Sequence, residues 1–172
     1  MAVATDFNVG AGVKAPRNKL MTFVNVGTSS TPEYEILGRG VEDSSIDLNA
    51  DKESVKDILG HTETTVNGWE ATQSFEPFTV RGGSKLALAL HRIWQNKQPE
   101  LLSKFDVLIV YGYIDGTATG SFEAELQSNC TIDPQSIGGS AYVDMPIEVS
   151  YSNDSVLGTV VISDGVPTFT PA

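Results

Sequence analysis

The sequence predicts a mainly β protein with one amphipathic helix, and three observations lead to this fold class. Several apolar segments alternate with polar residues at every second position, which is the period of a strand with one face in water. Asp115 with Gly116, and Asp164 with Gly165, lie between such segments and suit tight hairpin turns. Only residues 84–97 carry a clear apolar stripe at the helical period.

The N-terminal elements begin with an arm. Residues 1–19 are small and polar, so we expect an arm that lacks a core of its own and depends on a neighbour for its order. Residues 20–27 form a short apolar segment and predict the first strand. Residues 34–48 predict a second strand, and Gly38 and Gly40 inside it indicate a bulge or a close backbone approach.

Residues 49–68 are polar and allow two interpretations. A short helix over residues 52–59 would place Val55, Ile58 and Leu59 on one face. The alternative is one long functional loop, because a long loop inside a compact domain needs a purpose.

The next strand and the helix have the clearest patterns. Residues 69–80 alternate, with one face made of Trp69, Ala71, Gln73 and Phe75 and the other of Glu70, Thr72, Ser74 and Glu76. Ser84 is a suitable N-cap for the helix, and Pro99 lies just beyond its end. Its apolar face is predicted to carry Leu86, Leu90, Ile93 and Trp94.

The C-terminal half is predicted to be entirely β. Residues 105–116 are apolar on both faces, which indicates a central, covered strand. Further strands are predicted within residues 120–132, 140–151, 158–163 and 166–170.

A possible nucleotide site needs to be weighed, because a strand, two glycines, Ser84, Lys85 and a helix follow one another. A phosphate-binding loop needs its lysine directly after the last glycine and a first glycine five positions earlier. Here Ser84 precedes Lys85, and Phe78 stands where the first glycine belongs. The segment is therefore interpreted as a turn and a helix cap.

Composition argues against other chemistry. The net charge of -11 opposes nucleic-acid binding, which needs clustered lysines and arginines. Two histidines and one cysteine give neither a disulfide nor a metal-ligand spacing, and no nucleophile elbow occurs. We expect no enzyme activity, no catalytic residue, no cofactor and no metal. No apolar run approaches the ~20 residues of a membrane span. Nor does the N-terminus look like a secretory signal, so we expect an intracellular compartment or a particle assembled there.

The C-terminal half adds a resemblance. Residues 129–171, NCTIDPQSIGGSAYVDMPIEVSYSNDSVLGTVVISDGVPTFTP, follow a strand, turn, long strand and terminal hairpin. With the arm, the polar segment and the single helix, this order resembles the major tail tube proteins of long-tailed, siphovirus-type bacteriophages. The resemblance implies an α+β, mainly β fold: a barrel-like two-sheet sandwich flanked by one amphipathic helix. It implies an arm over residues 1–19 and a single tail-tube domain over residues 20–172.

The resemblance also implies a function. Six copies would form a ring, and rings would stack by self-assembly into the hollow tail tube that conducts the genome during ejection. The chain would be a structural virion protein of the tail, assembled in the host bacterial cytoplasm. Its partners would be itself, a tape measure protein, a terminator and baseplate or distal tail proteins. DNA would pass through without specific binding, and no membrane would be involved.

Two sets of residues are implied as contact surfaces. The loop at residues 49–67 would reach the next ring through Asp51, Lys52, Glu53, Lys56, His61 and Glu63. The candidate lumen acids, which would repel DNA, are Glu70, Glu76, Glu123 and Glu125. Which strand face lines the lumen stays open. The alternatives are a tail terminator, a capsid decoration protein or the tube of a phage-derived particle, and then a monomeric β-sandwich binding module.

Overall fold

The structure is a computed structural model and describes residues 7–172. Its single α-helix, α1, spans Lys85–Asn96, and short 3-10 helices span Arg17–Lys19 and Pro99–Ser103. The strands of the described residues are β1 (Leu20–Asn25), β2 (Tyr34–Ile36), β3 (Ile46–Asp47), β4 (Ala50–Lys56), β5 (Thr62–Trp69), β6 (Thr72–Phe75), β7 (Phe105–Asp115), β8 (Phe122–Pro134), β9 (Ile147–Ser150), β10 (Ser155–Ser163) and β11 (Val166–Pro171).

One long strand, β8, joins the two halves of the main sheet. Its first half, residues 122–127, pairs with β7 on one side and with β10 on the other. Its second half, residues 131–134, pairs with β9, which leads on to β6 and β3. Asn129 lies between the halves with a φ of 55°. The result is a curled antiparallel sheet, a small separate sheet and one helix, which confirms the predicted mainly β fold class.

The core lies on both faces of the curled sheet. The larger cluster fills the space between the two halves of the sheet and includes the buried face of α1. It contains Val24, Phe75, Leu86, Leu90, Val107, Ile109, Cys130, Ile132, Ile147 and Val149. A smaller cluster of Phe23, Leu108, Val110, Ala124 and Val160 lies on the opposite face of β1, β7, β8 and β10. Strand β7 contributes to both clusters, as its apolar residues on both faces predicted.

The helix begins where its cap chemistry predicts. The Ser84 side chain accepts a hydrogen bond from Ala87 N at 3.2 Å, and Lys97 ends the helix in a left-handed conformation. Leu86 and Leu90 are fully buried, as expected, but Trp94 is 58% exposed. The Lys97 ammonium instead lies 3.1 Å from the Trp94 ring centroid. The prediction of the apolar face is therefore correct over its first two turns and wrong at Trp94.

The second predicted strand is much shorter than expected. β2 ends at Ile36, because Gly38 and Gly40 adopt φ values of 103° and 79° that turn the chain out of the sheet. The structure thus corrects the bulged strand over residues 34–48: the glycines end β2, and only Ile46–Asp47 returns to the sheet.

Residues 49–68 form neither a helix nor a loop. They fold into a β-hairpin of β4 and β5, which pair with each other and form a separate two-stranded sheet. Asn67 is an extra residue opposite a register shift between Asp51 and Lys52, so it forms a bulge. Both predicted conformations for this segment are wrong, although it does connect strands of the main sheet.

The structure also tests the predictions for residues 69–80 and for the turn at Asp164 and Gly165. The alternation of residues 69–80 is confirmed in β6, where Gln73 and Phe75 are buried and Ser74 is exposed. Trp69 is the last residue of β5 and is 51% exposed, so it does not share the buried face. Asp164 and Gly165 take φ values of 52° and 80° in the tight turn between β10 and β11.

The described part of the arm is held within the chain. Asn8 N donates to Tyr113 O at 3.0 Å, and the Asn8 side chain donates to Gly112 O at 2.9 Å. The Lys19 ammonium donates to the Asn8 side-chain oxygen at 2.6 Å. These contacts join Asn8 and Lys19 to each other and to the end of β7, whereas residues 10–18 are exposed. Residues 1–6 of the predicted arm lie outside the described residues, and the arm stays a prediction. No helix within residues 7–172 is long and apolar enough to cross a membrane.

Candidate assembly surfaces

The helix N-terminus is closed to a phosphate by a carboxylate of the chain itself. Glu35 Oε2 accepts a hydrogen bond from Leu86 N at 3.1 Å, and Glu35 Oε1 accepts one from the Ser84 hydroxyl at 2.5 Å. A carboxylate at this position uses the first-turn N–H and the positive end of the helix dipole, which an anionic ligand would need. The geometry supports the interpretation as a turn and cap.

The cysteine and the histidines lie apart. Within residues 7–172, no group of three His, Cys, Asp or Glu side chains is placed to hold a metal ion. Cys130 is buried in the larger core cluster, and burial raises the pKa of its thiol. His61 lies at the exposed turn of the hairpin, where its Nδ1 is 3.2 Å from Asp57 Oδ2, whereas His91 is half-buried on α1.

The β4–β5 hairpin is the most exposed element of the structure. Every residue from 51 to 67 is exposed, including the whole set proposed for inter-ring contact. The hairpin packs neither of its faces against the core clusters. A two-stranded ribbon without a packed face is marginally stable in water, so this element is well suited to contact another molecule.

The tip of the hairpin is apolar and is built by Asp57. Asp57 Oδ1 accepts hydrogen bonds from Leu59 N at 2.9 Å and His61 N at 2.8 Å, and Gly60 takes a φ of 87°. This fixes a tight turn that leaves Ile58 102% and Leu59 75% exposed. Neither residue was among the predicted contact residues. The sequence signal was present, since Asp at the first and Gly at the fourth position are typical of a type I turn.

The four candidate lumen acids fall into two separate pairs. Glu70 and Glu76 flank β6 and are exposed. Glu123 and Glu125 lie on the first half of β8, half-buried, opposite Tyr111 and Ile109 of β7. The structure therefore places the four acids in no single row, and their role as lumen acids stays a prediction.

Glu125 is held in a polar network that sequence reasoning missed. Its Oε2 accepts a hydrogen bond from the Tyr111 hydroxyl at 3.1 Å, and its Oε1 accepts one from the Gln127 side chain at 3.0 Å. Burial and the nearby Glu125 carboxylate raise the pKa of Tyr111 well above its usual range. This orientation makes Glu125 a structural acceptor, whereas Glu123, the residue opposite Tyr111, is the freer of the two acids.

Two edge strands of the main sheet, β11 and β2, differ in their hydrogen-bonding capacity. Ala172 N donates to Leu157 O of β10, so residues 166, 168 and 170 also direct their N–H groups toward β10. At positions 167, 169 and 171 the backbone nitrogen points away from β10, and two of these residues are Pro167 and Pro171, which have no N–H group. Only Phe169 can donate from this edge, and such prolines protect an edge strand against indiscriminate pairing.

The opposite edge, β2, has both donors and acceptors. Leu37 N donates to Thr22 O and Glu33 O accepts from Val26 N, so the odd-numbered residues face β1. Tyr34 and Ile36 consequently direct N–H and C=O groups away from β1, and no other strand of the described residues pairs with β2. A neighbouring strand could add here over a short length.

Comparison with solved structures gives the fold a context. The chain is similar to the sheath/tube terminator of the PVC extracellular contractile injection system in its extended state, with 14% identity and a TM-score of 0.50, over 86% of this chain and 99% of that one. The tube-terminating cap of the anti-feeding prophage matches at 14% identity with a TM-score of 0.49, over 96% of both chains. The PVC sheath–tube complex in its extended state matches at 14% identity with a TM-score of 0.47, over 85% of this chain and 92% of that one.

Comparisons of the sequence gave no further relatives, since no protein-family model and no curated protein matched. At 14% identity the likeness to the PVC terminator establishes a shared fold. Fold and function are separable, so the role of the chain has to be argued from its surfaces.

Proposed function

We propose that this chain is a structural subunit of a phage-tail-like particle and that it forms a ring at the end of a tail tube, as a terminator. The observation that carries this proposal is the exposed β4–β5 hairpin, which is folded but packs against no other element within residues 7–172. A ring docked on a tail tube would cover this hairpin, and the fold is shared with a sheath/tube terminator.

The terminator is preferred to the tube subunit that the sequence resemblance implied. The PVC structure that matches with a TM-score of 0.50 is a sheath/tube terminator, and 99% of its chain is covered. The proline-protected β11 edge also fits a subunit that joins a limited number of neighbours, because it offers one donor where an open edge would offer three.

The contact surfaces follow from this proposal. The hairpin tip, with Ile58 and Leu59, would insert against the adjoining tube ring, where its apolar side chains would leave water. Of the residues predicted for inter-ring contact, His61 lies at this tip, whereas Asp51, Lys52, Glu53, Lys56 and Glu63 lie along the two strands of the hairpin. Tube subunits are then the principal partners, while the tape measure and baseplate proteins implied by the resemblance stay predictions.

The acidic surface also has a place in this proposal. A lumen that conducts DNA should repel it, and exposed carboxylates on a wet strand face would do so. Glu70, Glu76 and Glu123 are the candidates whose carboxylates have no hydrogen bond within the described residues. Glu125 is a weaker candidate because Tyr111 and Gln127 already hold its carboxylate.

Sedimentation velocity over a concentration series tests the proposal. A terminator should reach one discrete ring mass and stop, while a tube subunit should form ever larger species as concentration rises. A plateau at ring mass supports the terminator. Unlimited growth would favour the tube subunit, and a monomer that neither assembles nor binds purified tail tubes would contradict both roles.

A further inference from the structure

The β4–β5 hairpin separates its charges onto opposite faces. Residues that are paired across the two strands share a face, and successive residues alternate between faces. The lysine face, defined by this register, contains Lys52, Ser54, Lys56, Thr62, Thr64 and Val66. The acidic face contains Asp51, Glu53, Val55, Glu63 and Thr65. The charged side chains are therefore all positive on one face and all negative on the other.

These charges are unpaired within the part of the chain that the structure describes. The only ion pairs among residues 7–172 are Lys85 with Glu33 and His61 with Asp57. Asp57 is occupied in holding the hairpin turn, so it is not counted with the acidic face. Lys52, Lys56 and the three acids of the acidic face all lie in exposed positions.

We propose that the hairpins of two copies of this chain stack face to face, with the lysine face of one copy on the acidic face of the next. This inference rests on the proposed function in one respect, that identical copies assemble. A contact between two different faces is heterologous, and its repetition closes a ring when the rotation divides a full turn and extends an open filament when it does not. A two-fold contact would place each face on its own kind and would be repulsive.

The spacing of the charges fits this stacking. Lys52 and Lys56 are four residues apart on one strand, which is about 13–14 Å at the strand rise of ~3.4 Å per residue. On the acidic face, Glu63 lies opposite Val55, so the row from Asp51 to Glu63 also spans four strand positions. Glu53 lies midway between them. The outer two acids can therefore meet the two lysines at once, while Val55 and Val66 supply apolar surface to the same contact.

Charge reversal with exchange provides a sharp test. K52E/K56E makes both faces acidic, and D51K/E63K, which reverses the outer two acids, makes both faces predominantly basic. At low ionic strength, each variant should need at least about tenfold more protein than the wild type to assemble, because like faces then meet. The fourfold variant K52E/K56E/D51K/E63K exchanges the charges of the two faces at the same spacing of four strand positions and should recover assembly.

A mixture of the two double variants provides an independent test. Acidic hairpins should alternate with basic hairpins, so an equimolar mixture should assemble where each variant alone does not. This result requires an even-numbered ring, such as the hexamer that the resemblance implies. R92E/K104E is the matched control for K52E/K56E, because it makes the same change in net charge on exposed residues of α1 and the segment that follows it. It should assemble like the wild type.

Zero-length carbodiimide cross-linking shows the contact directly. Wild-type protein is mixed with ¹⁵N-labelled protein, cross-linked when concentrated and analysed by mass spectrometry. Mixed-isotope links from Lys52 or Lys56 to Asp51, Glu53 or Glu63 are expected. The inference is overturned if these links are absent, or if both double variants assemble at the wild-type concentration. If the wild type forms rings under those conditions, the ring-forming role survives and only the stacking of hairpins is lost.

Discussion

Removing the Glu35 carboxylate tests how the helix is joined to the sheet. Glu35 lies on the edge strand β2, and its two oxygens accept hydrogen bonds from Leu86 N and from the Ser84 hydroxyl. The Glu35→Ala variant would lose both bonds and the favourable interaction of a negative charge with the helix N-terminus. Hydrogen bonds to a charged group contribute about 1.5–3 kcal/mol each, and water recovers part of this loss at a half-buried site. We expect a destabilisation of about 1.5–3 kcal/mol.

Glu33 provides a matched control two residues away. It forms an ion pair with Lys85 at 2.6 Å, but both side chains are more than half exposed. Exposed pairs are worth about 0–1 kcal/mol, so Glu33→Ala should cost less than about 1 kcal/mol. Glu35→Gln keeps an acceptor oxygen and loses the charge, so it should fall between Glu35→Ala and the wild type.

Urea denaturation, followed by circular dichroism, measures the free energy of unfolding of all three variants. Urea is preferred because guanidinium salt would screen the charges. The reasoning is refuted if Glu35→Ala costs no more than Glu33→Ala. It would also fail if Glu35→Gln were as damaging as Glu35→Ala, because the charge would then be the whole effect and the geometry of the two bonds would not matter.

Three further predictions concern the core, the buried tyrosines and the hairpin. Leu90→Ala should lower the free energy of unfolding by about 2–5 kcal/mol. Leu88→Ala, on the exposed face of α1, is the control and should cost less than about 1 kcal/mol. A change below about 0.5 kcal/mol for Leu90→Ala would mean that the helix face is misassigned. Burial raises the pKa of Tyr111 and of Tyr151 above the ordinary value of 10.0, so the unfolded chain loses these protons first and stability should fall as pH rises above 10. The slope measured by urea denaturation across that range should be smaller in Tyr111→Phe, and an unchanged slope would contradict this cause. Replacing residues 51–67 with a short Gly-Ser linker should preserve cooperative unfolding but abolish assembly, and loss of cooperative unfolding would show that the hairpin belongs to the core.

The elements predicted correctly are those whose signals are local. Ser84 caps α1 because its own side chain reaches the first-turn N–H, and the glycine pair before it only has to turn the chain. Strand β7 was predictable because a strand covered on both faces is apolar at consecutive positions. The turn at Asp164 and Gly165 depends on two residues that tolerate positive φ.

The hairpin could not be predicted from periodicity because neither of its faces is buried. An exposed ribbon is not required to alternate between apolar and polar residues, and Val55, Ile58 and Leu59 happen to have helical spacing. The misplaced tryptophans have a related cause. Strand alternation places Trp69 and helical spacing places Trp94 on an apolar face, but both are more than half exposed. Large exposed aromatic side chains are typical of surfaces that contact other proteins.

The sequence predicts which segment forms the candidate site but not how the residues of that segment are arranged. The resemblance directed attention to residues 49–67, and the structure gives that segment its exposed position. The separation of lysines from acids needed the register of β4 and β5, since it depends on which residues lie opposite one another. Likewise, the network that holds Glu125 depends on the pairing of β7 with β8, because this pairing brings Tyr111, 14 residues earlier in the chain, next to Glu125.

Electron microscopy of the negatively stained, concentrated protein, with and without purified tail tubes, tests the central claim most directly. If the chain is an assembly subunit that ends a tube, the images should contain uniform rings of limited height, and added tubes should carry one such ring at an end. Compact single molecules at every concentration and salt condition, with bare tube ends in the mixture, would contradict the account.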